Sequence, residues 1–127
     1  MAKTKQFSID IDNLLKMWIV LLHLEDWDIS WHVASEKDKD ACVDALAEVQ
    51  VESSIKWAHI TIAPETKFKN EPDRSVQQVL IHELLHVKFA LIQPDDLDTT
   101  EYRVQHQLID ELATTFDLIK PKKDLNK

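Results

Sequence analysis

Residues 79–89 read Val79-Leu-Ile-His82-Glu83-Leu-Leu-His86-Val-Lys-Phe89, in which every position except the two histidines, the glutamate and the lysine is apolar. This apolar content predicts a buried helix. On a helix, His82 and His86 stand about 40° apart around the axis and one turn apart along it, so both imidazoles reach one ion. Glu83 is rotated by about 100° from His82 and flanks that ion. The spacing is the H-E-x-x-H pattern, which predicts a metal site on this helix.

The residue types in this pattern fit zinc chemistry. Zinc binds imidazole nitrogen readily, and catalytic zinc sites keep one coordination position for water. Zinc makes that water more acidic, and Glu83 beside it is placed to take the proton as a catalytic base, which predicts hydrolysis of a peptide or amide bond. The alternative is that the pattern arose by chance, with both histidines hydrogen-bonded to backbone carbonyls and Glu83 in an ion pair. Burying three titratable groups is unfavourable unless they pair or bind a metal, which favours the metal site.

The rest of the chain predicts an α+β fold around this helix, with a three-stranded, mostly antiparallel sheet. Helical spacing and strand alternation define the other elements. In chain order they are an N-terminal helix from the cap Ser8 to about Leu24, a strand at 27–33, a β-hairpin at 45–51 and 57–62, the motif helix at 76–92 behind a capping box of Ser75 and Gln78, and a C-terminal helix from about Thr100 that Pro121 stops. Residues 1–121 are expected to form one domain, and residues 122–127 a flexible tail.

Composition and charge narrow the class of protein. A length of 127 residues with 44% hydrophobic content suits one domain with one core. The net charge of −8, from 23 acidic and 15 basic residues, argues against a nucleic-acid partner. The longest uncharged apolar stretch, residues 17–24, is too short to cross a membrane. Cys42 is the one cysteine, so no internal disulfide forms; together with the lack of a signal-peptide pattern, this predicts a cytoplasmic protein.

The chain contains no glycine. Glycine normally supplies the positive φ angles of tight turns and helix ends. We expect asparagine, aspartate, proline and serine to take over those positions.

The H-E-x-x-H motif and the order of elements together resemble the zincin metallopeptidases, and more closely the short single-domain zincin-like proteins of prokaryotes and their phages. The hairpin ending in Ala58-His-Ile-Thr-Ile-Ala63 and the pattern Ile109-Asp-Glu-Leu-Ala113 on the final helix extend the resemblance over most of the chain. The resemblance implies a zinc cofactor and a peptide or protein substrate. Two alternatives stay open: a catalytically silent zinc-binding interaction module, and a protease that cleaves one specific partner.

The resemblance also implies a third zinc ligand on the final helix. In the glutamate-type zincins this ligand and an acidic residue four positions later share one helix face, and the acid orients the first histidine of the motif. Here His106 and Asp110 offer that spacing, with histidine in place of the usual glutamate. Glu101, Asp110 and Glu111 are competing ligands, and the plain alternative is that His106 only pairs with Asp110.

Two further roles are expected near the site. In the larger zincins the strand before the motif helix binds an extended substrate at the sheet edge, which implies such an edge strand at residues 57–63, with Trp57, His59 and Thr61; an ordinary structural strand is the alternative. Tyr102 lies just under one turn before His106 and is a candidate oxyanion donor, or else a packing residue. Three other histidines lack a partner at metal-ligand spacing and are expected to be surface or hydrogen-bonded residues: His23, His32 and His59.

Overall fold

The computed structural model describes residues 2–35, 45–92 and 99–119. Its helices are α1 (Ala2–Leu21), α2 (Glu65–Lys69), α3 (Val76–Lys88) and α4 (Thr100–Phe116), and its strands are β1 (Asp28–Val33), β2 (Ala47–Glu52) and β3 (Trp57–Ile62). Short 3-10 turns lie at Ser53–Ile55 and Ala90–Ile92. The predicted α+β architecture is confirmed. The expected tail at 122–127 and Cys42 lie outside the described residues.

The three strands form a mixed sheet in the order β1-β3-β2. Strand β2 pairs antiparallel with β3, with Val51 opposite Ala58, so the predicted hairpin is confirmed. Strand β1 pairs parallel with β3, with Ile29 opposite Ala58. The prediction of a mostly antiparallel sheet is therefore wrong for one of the two pairings. Alternation along β1 defines which residues share a face, but it contains no information on the neighbour or the direction of the strand.

The core lies between one face of the sheet and the helices. Ala58, Ile60 and Ile62 of β3 are fully buried on that face, while Trp57, His59 and Thr61 alternate to the opposite face. Helix α3 packs against α1, α4 and β2, which buries 8 of its 13 residues. The nearly all-round apolar sequence of α3 is explained by this position, because a helix with neighbours on several sides has little exposed surface.

The ends of α3 and α4 follow local capping chemistry. Ser75 Oγ accepts a hydrogen bond from the backbone N–H of Gln78 at 2.9 Å, so the predicted cap of α3 is confirmed. The second half of the predicted capping box is not formed, because the side chain of Gln78 donates to Thr114 Oγ1 of α4 at 3.1 Å. The α-helix ends at Lys88, earlier than the predicted Ile92, because the chain tightens into a 3-10 turn. Thr99 caps α4 in the same way as Ser75 caps α3. None of the helices in the described ranges is both long and apolar enough to cross a lipid bilayer.

The positions that would favour glycine are taken by a histidine and a lysine. Among the described residues, positive φ angles occur at His23 (58°) and Lys56 (50°), so the expected use of asparagine, aspartate, proline and serine is wrong there. His23 ends α1 in a Schellman motif, in which the N–H of Leu24 donates to the carbonyl of Ile19 at 2.8 Å. Histidine tolerates this left-handed conformation better than most residues. The helix starts at Ala2, so Ser8 lies inside it and is not its cap.

A short helix, α2, occupies part of the stretch at 64–73 that looks irregular in sequence. Phe68 of α2 is buried, and its ring meets Phe7 of α1 edge-on at 5.6 Å between centroids. Five residues are too few to show helical periodicity, so this contact, and not local propensity, accounts for the helix.

Gln77 is a buried polar residue that joins three helices. Its Oε1 accepts a hydrogen bond from Trp18 Nε1 of α1 at 3.0 Å, and its Nε2 donates to the carbonyl of Ile119 at 2.9 Å beyond the end of α4. Nε2 also lies 3.2 Å from Oδ1 of Asp117, the C-terminal cap residue of α4. A buried polar group with partners on both sides fixes the position of α3 relative to its neighbours.

We expect Gln77→Met to lower the free energy of unfolding by about 1–3 kcal/mol, because methionine preserves the volume but leaves Trp18 Nε1 buried without an acceptor. Chemical denaturation followed by fluorescence or circular dichroism measures this loss. Gln6→Met is the matched control: it removes only the exposed hydrogen bond to Asp10, so its effect should stay within about 0.5 kcal/mol. Equal effects of the two substitutions would contradict the role of Gln77.

Candidate metal centre

Packing of α3 against α4 brings three histidines together. One nitrogen of each of His82, His86 and His106 lies within 4.8 Å of the other two. The ring centroids are 4.8 Å apart for His82 and His86, and 5.4 Å for each pair with His106. Nε2 of His82 and Nε2 of His86 are separated by 3.1 Å. Two nitrogens bound to one tetrahedral zinc ion are about 3.3 Å apart, so this donor set fits a zinc ion after small side-chain rotations.

Asp110 bridges two of these histidines. Nδ1 of His82 donates a hydrogen bond to Oδ1 of Asp110 at 2.9 Å, and Nδ1 of His106 lies 3.5 Å from Oδ2. The contact with His82 is the one that the spacing of the final helix predicted. It fixes the ring so that Nε2 of His82 faces the centre of the cluster, which is how carboxylates orient metal-binding histidines.

The competing acidic residues stay outside the cluster. Among the described residues, the group able to hold a metal consists of the three histidines, without Glu101 or Glu111. Glu111 is exposed and accepts a hydrogen bond from Gln107 at 3.1 Å, and Glu101 is exposed in the first turn of α4. The geometry therefore favours His106 over either glutamate as the third ligand.

Glu83 lies on α3 next to the first histidine and is buried, with 7% of its surface exposed. Burial raises the pKa of Glu83 to about 8, while the positive charge of Arg74 lowers it and the negative charges of Glu48 and Asp110 raise it further. A cation bound at the histidines would oppose this rise, since a nearby positive charge favours the ionised carboxylate. The carboxyl group is thus poised to change protonation state in response to a bound ion.

The histidines of α3 are held in the form that binds metals. Burial, followed by the charges of His82 and His106, lowers the pKa of His86 to about 4. Burial is also the main cause that lowers the pKa of His82, against the raising effect of Asp110. Both rings are neutral at pH 7, and a metal ligand must be deprotonated.

Without metal, the protein is expected to lose stability as the pH rises from 7 to 9, a range above the one in which His82 and His86, with their lowered pKa values, change protonation on unfolding. The folded state binds the proton of Glu83 up to a pKa of about 8, whereas an exposed glutamate, as in the unfolded chain, has a pKa of 4.5. The stabilisation is therefore fully present below pH 4.5 and is lost as the pH rises through 8, by a few kcal/mol in total. Urea denaturation of the metal-free protein at both pH values measures this loss.

Glu83→Gln removes the titrating group, so the loss of stability caused by Glu83 at high pH should disappear. At pH 9 the metal-free variant should therefore be more stable than the unmodified protein. Glu111→Gln is the matched control, because its exposed carboxyl has no such burial. The same decline in Glu83→Gln as in the unmodified protein would show that Glu83 does not cause it.

An open groove runs along α4 beside the cluster. Tyr102, Arg103, His106, Gln107 and Asp110 line it. The Tyr102 ring lies 6.1 Å from the His106 ring between centroids, so the residue predicted as an oxyanion donor is next to the third histidine. Its role in catalysis stays a prediction.

The two arginines of the chain, Arg74 and Arg103, belong to no sequence motif, yet both act near the histidine cluster. Arg103 lines the groove on α4, and the charge of Arg74 acts on His82 and Glu83 from the N-terminal side of α3. Arginine is rare in this chain, since 13 of its 15 basic residues are lysine. This rarity is the one sequence feature that could have marked Arg74 and Arg103 as candidate site residues.

The expected substrate-binding edge strand at residues 57–63 is wrong. Strand β3 is the central strand, because β1 and β2 pair with its two sides, so its backbone groups are already used in the sheet. Trp57, His59 and Thr61 lie on the face of the sheet opposite the core. No strand of the described residues pairs with the other side of β2, the strand that α3 contacts.

The donor set of this centre is thus three imidazoles from two helices, a carboxylate that bridges two of them, and a second, buried carboxylate beside the first histidine. Such a combination is typical of zinc sites that activate water. Comparison with known protein families, curated proteins and solved structures finds no match for this chain, so its function has to be inferred from these residues.

Proposed function

We propose that this chain is a zinc-dependent metallopeptidase of the zincin type, which hydrolyses peptide or amide bonds in the cytoplasm. The observation that carries the proposal is the convergence of His82, His86 and His106 within 4.8 Å. A buried Glu83 next to His82 adds the group that such a reaction requires. A zinc site of three protein ligands keeps a coordination position open, which distinguishes catalytic from purely structural zinc sites.

The chemistry is divided between the ion and Glu83. A zinc ion held by the three histidines would polarise the substrate carbonyl and make water more acidic. Glu83 takes a proton from the attacking water onto a carboxylate oxygen and passes it to the leaving amine. This role requires the ionised carboxylate at neutral pH, and the cation together with Arg74 favours that form against the effect of burial.

Asp110 acts through the histidines. It holds His82 by the 2.9 Å hydrogen bond to Nδ1 and lies 3.5 Å from Nδ1 of His106. The negative charge of Asp110 makes the two imidazoles better electron donors to a metal ion, and its contacts restrict the rotation of both rings. Asp110 is therefore a positioning residue, and Glu83 is the catalytic residue.

The substrate would approach between α4 and β2. The groove lined by Tyr102 and Arg103 borders the cluster on one side, and β2 packs against α3, the helix of His82 and His86. One side of β2 pairs with no strand within residues 2–35, 45–92 and 99–119, and an extended peptide can add there through main-chain hydrogen bonds. This assignment replaces the edge strand expected from the sequence.

The test combines metal analysis with a cleavage assay on tag-free protein. We expect about one zinc ion per chain at the histidine cluster, and cleavage of casein, a mixed peptide library or the chain itself that a chelator abolishes. Zinc bound without cleavage of any of these substrates would favour the silent interaction module over a general peptidase. Failure of the histidine cluster to bind zinc would overturn the proposal.

A further inference from the structure

A second pair of histidines lies on the sheet, on the face opposite the core. Nδ1 of His32 in β1 and Nε2 of His59 in β3 are 2.7 Å apart. The two rings stack with 4.9 Å between centroids and 23° between planes. The strand register explains the contact: Ser30 pairs with His59 and His32 with Thr61, so the histidines are diagonal neighbours on adjacent strands. Both are thus surface residues with hydrogen-bond partners, as expected, and each is a partner of the other.

Ser30 orients one member of the pair. Its Oγ lies 2.7 Å from Nδ1 of His59. When Ser30 accepts the Nδ1 proton, the lone pair of His59 Nε2 faces Nδ1 of His32, so the two ring nitrogens are close enough to share one ion. A hydrogen bond to the second ring nitrogen is the usual support of a metal-binding histidine.

The surroundings of the pair favour a neutral His59 and give an ion access to both rings. Burial, followed by the charge of His32, lowers the pKa of His59, so it is uncharged at pH 7. His32 is exposed and His59 is half-buried, so solvent reaches the pair. The net charge of −8 also favours the approach of cations.

We propose that His32 and His59 form a second metal site, for a divalent transition-metal ion, on the open face of the sheet. Two imidazoles suit copper, nickel and zinc, and water fills the remaining coordination positions. Ligand nitrogens on one ion are about 3.3 Å apart, so the exposed His32 has to move by only about half an ångström. The site is separate from the histidine cluster of α3 and α4, since its strands present these side chains on the opposite face of the sheet from the core.

Cu²⁺ is the most suitable probe. It binds nitrogen ligands more tightly than Ni²⁺ or Zn²⁺ does. The Trp57 ring stacks on His59, with 6.5 Å between centroids and 17° between planes, so a paramagnetic ion at this site should quench its fluorescence. Trp57 therefore reports occupancy without a catalytic assay.

The experiment titrates Cu²⁺ into the tag-free double variant His82→Ala/His86→Ala, in which the first cluster is disabled. We expect one ion per chain, with quenching of tryptophan fluorescence. Adding His32→Ala or His59→Ala should weaken binding at least tenfold, and adding Ser30→Ala about 10- to 100-fold, as for other residues that orient a ligand. His23→Asn is the matched control: it removes an exposed imidazole from outside both sites but preserves the left-handed turn, and should have no effect.

Three results would overturn the proposal. One is Cu²⁺ binding of unchanged strength after His32→Ala and His59→Ala, with circular dichroism showing that the variants fold. The second is full quenching after Trp57→Phe, which would place the ion near another tryptophan. The third is the absence of saturable Cu²⁺ binding in the double variant, which would leave a plain hydrogen bond between the two histidines.

Discussion

Glu83→Gln should leave zinc bound and lower the rate of peptide hydrolysis by about 100- to 10,000-fold, the contribution typical of a general base. Glutamine preserves the shape of the side chain but cannot accept the proton of water. The residue is buried beside His82, so its substitution removes the carboxylate nearest the first histidine along α3. Zinc content and hydrolysis rate have to be measured on the same preparation, because only the combination separates catalysis from metal binding.

Glu111→Gln provides the comparison for this experiment. Glu111 is an exposed carboxylate of α4 that contacts Gln107 and lies outside the histidine cluster. Its substitution should leave both zinc and activity unchanged. Retention of both by Glu83→Gln as well would remove Glu83 from the mechanism and reduce it to a buried structural residue.

His106→Ala should cause the largest loss of zinc affinity outside the H-E-x-x-H motif, because it removes one of three protein ligands. Asp110→Ala removes only the hydrogen bond that orients His82, together with the contact to His106, and should weaken zinc binding by about 10- to 100-fold. His106→Ala is expected to exceed this effect. Competition with a chromophoric chelator measures both affinities.

The control variant is Glu111→Ala, which should bind zinc as tightly as the unmodified protein. The order of the three effects is the informative result. If Glu111→Ala removes the metal while His106→Ala does not, the third ligand is a carboxylate and the position of α4 in solution differs by more than one turn. If His106→Ala has no more effect than Asp110→Ala, His106 is only a partner of Asp110.

Some features of the fold could be predicted because they depend on residues close together in sequence. The spacing of His82, Glu83 and His86 defines their relative directions on any α-helix, whatever surrounds it. Ser75 caps the helix through the next turn, and β2 and β3 are antiparallel because they are joined by a short connection. The four-residue spacing of His106 and Asp110 likewise places them on one face of α4.

Only the tertiary structure decided which of these faces meet. The sequence offered His106, Glu101, Asp110 and Glu111 as ligands, and the packing of α4 on α3 brings His106 to the cluster. Likewise β3 became the central strand because β1 pairs with its second side, and this pairing created the contact between His32 and His59. Periodicity defines the face on which a side chain lies, but the partner of that face depends on the whole core, in which residues far apart in sequence compete for the same buried surface.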